Sequence, residues 1–429
     1  MADPTVPGAD VTRPTDLLQA RDVMREGHER GAGLLICGGT TKLDWGRPPQ
    51  GVERIIDTTG LDRLIEHDPG DMTAVVGAGM PLGQLQDRLA TAGQWLAIDP
   101  PRNAPVDLLR VLPTTVSTRA PSLPSLSGQS SPDQAERTAT VGGIFASNDS
   151  GPRRLRYGSL RELVIGMTVV LPDGTVARSG SKVIKNVAGY DLCKLYSGSL
   201  GTLGLVVELI VRLHPLPDTS RTVRVPAASN SATALVLALM ASPLEPTAVE
   251  YNGDELFIRF DGSDVHTSEQ SKRTLDLVAS HQLDCALIPD EQQAALWEEL
   301  GQAHAGGDGK STLRIAALPS RLHAVTSMIR QVAEQARVDV ALASHACLGL
   351  HTARLAGGGA AQHAALIERA RARMGEIGGH VVVRSKISGL DELVDPFGPP
   401  PPSLSIMRRV KQRLDGKSRC ARGRFIGGL

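Results

Sequence analysis

The sequence predicts an α+β protein with two domains and a C-terminal segment. Short strand-like and helix-like stretches alternate through the first two hundred residues, and this pattern changes after His214 and Pro215. A run rich in Pro, Ser, Thr and Arg interrupts the first region. We therefore expect a first domain over residues 1–215 with a low-complexity insertion at 102–137, a second domain over 216–398, and a segment over 399–429 that returns to the first domain.

The elements of the first domain follow from apolar periodicity and turn residues. Apolar residues at helical spacing behind a Pro-Thr-Asp start predict a helix over residues 16–30, which Gly31 to Gly33 would end. Short apolar runs between turn residues predict strands. The strands are expected at 34–36, 55–56, 73–76, 95–98, 163–171 and 175–178, with a helical turn at 61–66 and a helix at 82–92.

The second domain is predicted as a separate α+β unit. Its strands are expected at 223–225, 256–260 and 313–317, and its helices at 232–241, 268–280 and 321–337. Beyond it, Pro399 to Pro402 would form a rigid spacer before a basic helix at 406–414 that packs on the first domain. The insertion at 102–137 has the composition of a flexible or disordered segment.

Composition excludes several classes of function. The 46 basic and 46 acidic residues cancel, so no electrostatic footprint favours nucleic acid or an anionic membrane surface. Aromatic residues make up 3% of the chain, which also argues against a base-stacking surface. The five cysteines form no Cys-x-x-Cys pair, which argues against an iron–sulfur or thiol-redox motif within this chain.

Localisation is predicted from the same features. The first ten residues are acidic and Pro-rich, unlike a secretory signal. The longest apolar run, at 232–241, is too short to span a bilayer. We expect a cytoplasmic protein with reduced thiols, peripheral at the inner membrane only through a partner.

A glycine-rich stretch between residues 138 and 204 is the strongest functional signal. Gly142-Gly143, then residues 146–148 and Gly151, place few bulky side chains along the backbone. Consecutive N–H groups there are able to face an anion or a flat ring. This composition predicts a site for a large ligand.

Two earlier glycine loops support that prediction. Gly38-Gly39-Thr40-Thr41 and Gly77-Ala78-Gly79 each follow a strand-like run. Burying a diphosphate without fixed donors is costly, and glycine turns supply N–H groups at low steric cost. Each loop is a weak signal alone, but together the three predict one cradle for a diphosphate.

The second of these loops also permits a dinucleotide-fold interpretation. The run Gly77-Ala-Gly-Met-Pro-Leu-Gly83 follows a strand and opens a helix, and Asp99 lies about 20 residues further on. Against this, the spacing is G-x-G-x-x-x-G, Pro81 stiffens the loop, and Asp99 lies in an irregular Asp-Pro-Pro turn. The alternative is less favoured and stays open.

These residues resemble the FAD-binding domain of the vanillyl-alcohol oxidase (PCMH-type) flavoprotein family. The resemblance covers roughly the first half of the chain and its last few dozen residues. The matching motifs are Ile36-Cys-Gly-Gly-Thr-Thr-Lys42, Val76-Gly-Ala-Gly-Met80, Thr140-Val-Gly-Gly143, Asn148 to Gly151, Tyr157-Gly158, Leu171-Pro-Asp-Gly174 and Gly201-Thr-Leu-Gly204. Within the family, Lys185-Asn-Val-Ala-Gly-Tyr-Asp-Leu192 and Arg424-Phe-Ile-Gly-Gly428 are most similar to the E subunits of bacterial glycolate oxidases.

The resemblance implies a PCMH-type FAD-binding domain of two subdomains and an α+β cap domain over the flavin. It implies FAD as the cofactor, and noncovalent binding, because neither early glycine loop contains the histidine to which covalently flavinylated relatives attach it. The positions implied to contact FAD are Gly38, Gly39, Thr40, Thr41, Lys42, Gly77, Ala78, Gly79, Met80, Asp99, Thr140, Val141, Gly142, Gly143, Ala146, Ser147, Asn148, Gly151, Arg154, Tyr157, Gly158, Gly204, Leu205 and Val206.

For function, the resemblance implies an FAD-binding subunit of a glycolate oxidase complex. Such a subunit would oxidise a small 2-hydroxy acid to the 2-oxo acid by hydride transfer to FAD. The implied partners are a second flavoprotein subunit and an iron–sulfur subunit. Two alternatives stay open: a noncatalytic FAD-binding assembly or electron-relay subunit, and a stand-alone FAD-dependent dehydrogenase of the D-lactate type.

The sequence does not determine the catalytic residues. Arg314 lies on a predicted strand of the second domain and is able to pair with a substrate carboxylate. His380 and Arg384 resemble a cap segment of the E subunits, and Tyr190 occupies a motif position near the predicted flavin. These four residues are the candidates.

No metal site is expected. The run His304-Ala-Gly-Gly-Asp-Gly-Lys310 resembles a metal segment of related 2-hydroxy acid dehydrogenases, but it has an extra residue and ends in Lys. Its composition favours a surface turn. His345 and His351 have no third ligand at metal spacing and are interpreted as structural.

Overall fold

The computed structural model describes residues 9–106, 108–111, 138–182, 190–307 and 309–429. Its mixture of helices and strands confirms the α+β class. Of the predicted insertion, only 102–106 and a short helix at Leu108–Val111 belong to the described residues. Its remainder and residues 183–189, which include the first five residues of the Lys185 to Leu192 motif, lie outside them.

The first helix begins and ends at the predicted residues. Asp16 caps its N-terminus by accepting from the Gln19 N–H at 2.9 Å, and Gly31 ends it in the left-handed conformation. The first subdomain combines this helix, α1 (Leu17–Arg30), with a three-stranded parallel sheet. The sheet has the order β1 (Asp10–Thr12), β3 (Val52–Asp57), β2 (Gly33–Cys37).

The second subdomain is a five-stranded antiparallel sheet. It contains β4 (Leu64–Asp68), β5 (Thr73–Gly77), β7 (Val164–Val170), β8 (Val176–Gly180) and β9 (Leu205–Arg212), in the order β4-β5-β9-β7-β8. A two-residue ladder of β6 (Gln94–Trp95) with β10 (His214–Pro215) flanks it. Helix α2 (Leu82–Ala90) belongs to this subdomain, whereas α3 (Leu108–Val111) packs on the three-stranded sheet of the first. The other helices of the second subdomain are α4 (Val141–Ser147), α5 (Arg154–Tyr157), α6 (Leu160–Leu163) and α7 (Leu192–Tyr196).

Two sequence expectations are wrong in this sheet. Residues 61–66 do not form a helical turn, because β4 pairs antiparallel with β5 and this pairing overrides the local helical spacing. The dinucleotide-fold alternative fails for a related reason. β5 has antiparallel partners on both sides, β4 and β9, whereas that fold requires a parallel sheet.

The second domain is built on one eight-stranded sheet whose strand pairs are all antiparallel. The order is β14-β11-β13-β12-β16-β17-β15-β18. The strands are β11 (Thr219–Pro226), β12 (Ala248–Tyr251), β13 (Glu255–Gly262), β14 (Ala286–Leu287), β15 (Ser311–Ala316), β16 (Asp339–His345), β17 (Leu350–Ala356) and β18 (His380–Val383). Its helices are α8 (Ser229–Ala241), α9 (Asp264–Ser280), α10 (Asp290–Gln302), α11 (Leu322–Ala336) and α12 (Ala360–Glu376).

The two faces of this sheet differ. One face is apolar and packs on α8, α9, α11 and α12, with Leu313 and Ile315 in that core. The other face is polar in part. Helix α10 covers part of the polar face, where Trp297 donates to the Thr222 hydroxyl at 2.8 Å and packs against Phe257. The six predicted elements of this domain are confirmed, whereas β12, β14, β16 to β18, α10 and α12 were missed.

The C-terminal segment contacts the first domain through helix α13 (Leu404–Leu414) and the residues after it. Buried Lys411 donates its ammonium to the Thr202 carbonyl and the Asp415 carboxylate, both at 2.6 Å, and to the Cys420 carbonyl at 3.0 Å. Cys420 also forms a parallel bridge with Leu34 of β2.

Short 3₁₀ turns occur at Thr58–Gly60, Pro319–Arg321, Ala346–Leu348, Leu390–Glu392 and Ile426–Gly428. None of the helices in the described ranges has the length and apolar character needed to cross a bilayer.

Candidate functional site

Three separated glycine loops meet at one cavity in the first domain. The loop after β2, the residue after β5 and the start of α4 form its walls. Residues 199–206 and Arg424 complete it. We name this space the glycine-lined cavity, and its lining is Ile36, Cys37, Gly38, Gly39, Thr40, Thr41, Lys42, Leu43, Thr58, Ala78, Thr140, Gly142, Gly143, Ala146, Ser147, Ser199, Leu200, Gly201, Gly204, Val206 and Arg424.

Hydrogen bonds between the loops hold the cavity wall together. The Gly142 N–H donates to the Ala78 carbonyl at 2.8 Å, and the Val141 N–H donates to the Met80 carbonyl at 2.9 Å. The Thr140 hydroxyl accepts from the Gly143 N–H at 3.2 Å and so caps α4. The second and third loops therefore form one unit.

Glycine is required at several positions because the loops touch one another. A Cβ atom at Gly39 would overlap the Thr138 carbonyl oxygen, and one at Gly79 would overlap that of Thr58. A Cβ at Gly142 would lie 2.7 Å from the Ala78 carbonyl oxygen. The sequence reasoning assigned these glycines to ligand contact, but close packing of backbone on backbone already demands them.

The loop after β2 offers donors that suit an anion. Within the described residues, the backbone N–H groups of Gly39, Thr40, Thr41 and Lys42 donate to no protein acceptor. Thr40 has a φ of +60°, a left-handed conformation that is strained for a β-branched residue. Successive free N–H groups around such a residue form a concave anion site, which fits the diphosphate of FAD.

Thirteen of the predicted cofactor contacts line the glycine-lined cavity, and eleven do not. Several of the eleven are core residues, as Met80, Val141 and Leu205 are fully buried. Asp99 accepts instead from the Arg153 N–H at 3.1 Å, and Tyr157 packs edge-on against Trp95. The eleven are Gly77, Gly79, Met80, Asp99, Val141, Asn148, Gly151, Arg154, Tyr157, Gly158 and Leu205.

Sequence reasoning missed eight lining residues. Ile36, Cys37, Leu43, Thr58, Ser199, Leu200, Gly201 and Arg424 were not predicted as cofactor contacts. Ile36, Cys37 and Gly201 lie inside motifs that the resemblance had identified. Leu43, Ser199 and Leu200 lie one or two residues outside such motifs, so a small extension would have included them. Arg424 lies in the similar C-terminal motif, but no local signal connects it to the loops.

A second cluster of polar residues lies on the polar face of the eight-stranded sheet. Glu250 of β12 lies directly opposite His345 of β16, and Thr352 of β17 lies opposite Arg314 of β15. Residues opposite one another on neighbouring strands project to the same face. We name Glu250, His304, His345 and Arg314 the polar cluster.

Hydrogen bonds organise the polar cluster around one carboxylate. His345 Nδ1 is 2.6 Å from Glu250 Oε1, and His304 Nε2 is 2.8 Å from Glu250 Oε2. The two imidazole rings stack with centroids 3.9 Å apart, and His304 Nδ1 lies 2.9 Å from the Thr352 hydroxyl. Both carboxylate oxygens are thus engaged by imidazole nitrogens.

The structure corrects the interpretation of these histidines. His304 is buried just after the end of α10 rather than in a surface turn. Glu250 and His304 lie beside His345 and are the further donors that sequence spacing did not reveal. The donor atoms of the three lie within 4.8 Å of one another, a set able to hold a metal ion. As they stand, they satisfy one another without an ion. Spacing failed because the three come from separate strands and a helix end.

Burial controls the charge of the polar cluster. It lowers the pKa of His345 and of His304 well below the ordinary range, so both imidazoles are neutral. Burial, and after it the charge of Asp99, raise the pKa of Glu250 well above its ordinary value, although the neighbouring Arg314 acts in the opposite direction. We assign the carboxylate form, since imidazole N–H groups face both oxygens and Arg314 supplies the countercharge.

Two atoms of the polar cluster have no hydrogen-bond partner among the described residues. They are His345 Nε2 and Arg314 Nη1. Because His345 Nδ1–H donates to Glu250, the Nε2 atom carries the lone pair. The cluster therefore presents one acceptor and one charged donor that the protein leaves open.

Asp149 links the glycine-lined cavity to the second domain. Lys42 of the glycine-lined cavity lies 3.4 Å from one Asp149 oxygen, and Arg384 lies 3.1 Å from the other. Arg384 also stacks over Trp45, at 4.0 Å from the ring centroid. Arg384 is therefore an interface residue between the two domains.

The other two catalytic candidates lie apart from the polar cluster. His380 is exposed at the beginning of β18, and Tyr190 is 92% exposed. Neither has the burial of His345 or Arg314. Exposure therefore separates Arg314, which is buried, from His380 and Tyr190, and the catalytic roles of all four candidates stay predictions.

Comparison with protein families and known proteins agrees with this geometry. A family model described as FAD binding domain matches residues 9–108 and 127–180. The chain is 29% identical over 231 residues to the glycolate oxidase subunit GlcE of Escherichia coli (strain K12), covering 54% of this chain and 56% of that protein. It is 30% identical over 223 residues to the glycolate oxidase subunit GlcD of Bacillus subtilis (strain 168), covering 52% and 39%.

A D-lactate dehydrogenase of Archaeoglobus fulgidus is 27% identical over 241 residues, covering 56% of this chain and 46% of that protein. The chain thus spans about half of these relatives' length. Among solved structures, p-cresol methylhydroxylase with substrate bound has a TM-score of 0.68 at 14% identity, covering 96% of this chain and 88% of that one. Alkyldihydroxyacetonephosphate synthase has a TM-score of 0.66 at 13% identity, covering 96% and 76%. The chain carries a PCMH-type FAD-binding domain, has FAD as its cofactor, and is a relative of the FAD-dependent oxidoreductases.

Proposed function

We propose that the protein oxidises a small 2-hydroxy acid to the 2-oxo acid. The observation that supports this most is the pair of unpartnered atoms in the polar cluster, Arg314 Nη1 and His345 Nε2. Bound FAD supplies the hydride acceptor. Two tasks remain, namely to bind the carboxylate of the substrate and to accept its hydroxyl proton. Arg314 Nη1 is suited to the first task and His345 Nε2 to the second.

Arg314 is suited to the carboxylate of the substrate. It lies on β15 with its side chain buried, where its Nη1 has no partner among the described residues. Burial lowers its pKa well below the ordinary value for arginine, so an anion beside it would be strongly favoured. A guanidinium binds a carboxylate through two parallel hydrogen bonds.

His345 is suited to accept the hydroxyl proton. Its Nδ1–H donates to Glu250, which fixes the tautomer and leaves the Nε2 lone pair available. The C–H bond breaks with its electron pair leaving as hydride, the O–H proton goes to Nε2, and the carbonyl double bond forms. The Glu250 carboxylate then stabilises the imidazolium, and His304 holds the second carboxylate oxygen.

We propose further that the chain acts as the FAD-binding subunit of a glycolate-oxidase-like complex. Two relatives are named as subunits of such an oxidase. The sequence contains no Cys-x-x-Cys pair, so we propose an iron–sulfur subunit and a second flavoprotein subunit as partners. We also propose noncovalent FAD and a cytoplasmic location, peripheral at the inner membrane through the complex.

Anaerobic reduction of the FAD-loaded chain tests the reaction. We expect glycolate or D-lactate to bleach the flavin absorption, whereas 1,2-propanediol, which has the hydroxyl but no carboxylate, does not. Arg314→Met should weaken reduction mainly through the apparent affinity for the acid, and Arg314→Lys should restore part of it. Equal bleaching by the diol would contradict the carboxylate role of Arg314.

The same assay separates the alternatives. Bleaching that requires the partner subunits would support an electron-relay subunit without its own chemistry. Rapid turnover of the isolated chain with a dye acceptor and D-lactate would favour the stand-alone dehydrogenase, the name carried by the relative from Archaeoglobus fulgidus. No reduction with or without partners would overturn the proposed function.

A further inference from the structure

Arg424 is a buried cation that the protein leaves largely unsatisfied. Its side chain belongs to the C-terminal segment, is 3% exposed, and lines the glycine-lined cavity. Its Nη2 donates to the Leu43 carbonyl at 2.7 Å, whereas Nε and Nη1 have no partner among the described residues. Buried N–H groups of a charged side chain are costly to leave without acceptors.

The charge of Arg424 is also unpaired. Lys42, the other basic residue of the cavity lining, lies 3.4 Å from Asp149. Arg424 forms no ion pair within the described part of the chain, although Asp44 and Cys37 interact with it at longer range. Burial lowers its pKa to about 10, so the guanidinium stays charged at neutral pH. A buried positive charge therefore lines the cavity with no carboxylate of the described residues in ion-pair contact.

The neighbouring loop points to the kind of anion. The guanidinium lies against the loop after β2, since Leu43 is its acceptor, and the free N–H groups of residues 39–42 belong to the same loop. The cofactor carries its formal charges on one group, the diphosphate. Two independent sets of donors, one from the backbone and one from a side chain, thus meet where a diphosphate fits.

The backbone of Arg424 is held firmly in this place. Its carbonyl accepts from the Arg47 N–H at 2.9 Å, and its own N–H donates to the Ala421 carbonyl at 3.1 Å. A Cβ at Gly46 would lie 2.8 Å from the Arg424 carbonyl oxygen, so the close approach requires glycine there. The side chain is therefore positioned before the cofactor arrives, which reduces the entropy cost of binding.

We propose that the guanidinium of Arg424 binds the diphosphate of FAD and closes the cofactor site from the C-terminal segment. The inference rests on FAD binding and not on the proposed substrate. It predicts opposite effects of one substitution on the two forms of the protein. Without FAD, removing an unsatisfied buried charge costs little, whereas with FAD the same change removes charge-assisted hydrogen bonds.

The test compares Arg424→Met, Arg424→Lys and Arg422→Met. Arg422 lies two residues away with an exposed side chain, so its substitution makes the same charge change outside the cavity. Apoprotein affinities are measured by quenching of flavin fluorescence for FAD and riboflavin, and by competition for ADP. We expect Arg424→Met to weaken FAD and ADP by roughly 10- to 100-fold and riboflavin by less than about twofold, with Arg424→Lys intermediate and Arg422→Met unchanged.

Thermal unfolding provides the second readout. The Arg424→Met apoprotein should melt at or above the temperature of the wild-type apoprotein, while the rise in melting temperature on adding FAD shrinks. Three results would overturn the proposal: unchanged FAD affinity, equal weakening of riboflavin and FAD, or a lower melting temperature of the variant apoprotein. The last two would assign Arg424 to the flavin ring or to the fold. If FAD binding were normal and the substrate failed to reduce the flavin, only the proposed function would be contradicted.

Discussion

The glycine-lined cavity and the polar cluster are built in opposite ways. The cavity is made of backbone, with loops close enough that a Cβ at Gly39 or Gly79 would overlap a neighbouring carbonyl oxygen. The polar cluster is made of side chains, with Glu250, His304 and His345 converging from two strands and a helix end. The glycine-lined cavity depends on the lack of Cβ atoms at its glycines. The polar cluster depends on the charge and tautomer of its side chains.

This difference teaches where each site is vulnerable. The glycine-lined cavity changes shape when an added side-chain atom separates its loops. Substitutions of its glycines should therefore lower both the stability of the fold and the retention of FAD. A side-chain cluster can lose its chemistry while its sheet stays intact, because the apolar face carries the packing. The predictions below test this separation.

The largest effect is expected for His345→Gln. Removing the proton acceptor should lower kcat about 10²- to 10⁴-fold while FAD content and melting temperature stay near wild type. Steady-state turnover and the flavin absorption of the purified variant measure both. The matched control is His380→Gln, an exposed histidine of the same sheet that should keep full activity. If His380→Gln lost activity and His345→Gln kept it, the polar cluster would not be the site of chemistry.

Asp149→Asn tests the link between the glycine-lined cavity and the second domain. The fully buried carboxylate neutralises Lys42 and Arg384, so its loss should lower the free energy of unfolding by about 3–5 kcal/mol. Denaturant unfolding measures this change. In the control Asp191→Asn, the exposed ion pair with Lys194 should contribute less than about 1 kcal/mol. Equal losses in both variants would show that burial of Asp149 carries no special weight.

Gly39→Ala tests the backbone-built site. The new methyl group must push the first loop away from Thr138, at a cost of about 1–3 kcal/mol and with loss of FAD on purification. The control is Gly83→Ala in α2, where nothing lies within 4 Å of the added atom and helix propensity favours Ala by up to about 1 kcal/mol. Denaturant unfolding curves measure the change in stability, and the flavin absorption of the purified variant measures how much FAD it retains. Retained FAD in Gly39→Ala would show that the loops tolerate separation.

The smallest effect concerns pH and His351, which is buried with Nδ1 at 2.9 Å from the Ser344 hydroxyl. Burial lowers its pKa from the ordinary 6.5 to about 3. The unfolded chain therefore takes up the proton first on acidification, so the contribution is complete above pH 6.5 and is lost as pH falls below it. Between pH of about 7.5 and about 5.5 this loss is about 1.4 kcal/mol. His351→Gln should reduce the acid sensitivity by that amount in urea titrations at both pH values, and an unchanged sensitivity would contradict the assignment.

The backbone-built site could be predicted from the sequence because its signals are local. Gly38-Gly39-Thr40-Thr41 and Thr140-Val-Gly-Gly143 appear as short runs, and the structure brings both to one cavity. The reason offered for the glycines was incomplete, since contacts between loops account for Gly39, Gly79 and Gly142. Sequence composition cannot distinguish a backbone that approaches a ligand from one that approaches another loop.

The side-chain cluster could not be predicted in the same way. Glu250 and His345 are neighbours only through the pairing of β12 with β16, and neither strand was predicted. His304 joins them because α10 crosses the polar face of the sheet, where Trp297 anchors it. Strand register and helix docking are long-range properties, so the spacing of histidines along the chain carries no information about them.

The path of the C-terminal segment has a consequence for biosynthesis. The loop after β2 is synthesised before the second domain, whereas Arg424, which lines the same glycine-lined cavity, is synthesised after it. Synthesis of the whole second domain therefore separates two parts of the wall of the glycine-lined cavity. If Arg424 binds the diphosphate as proposed, we expect tight binding of FAD only after the second domain has been synthesised and Cys420 has formed its β-bridge with Leu34.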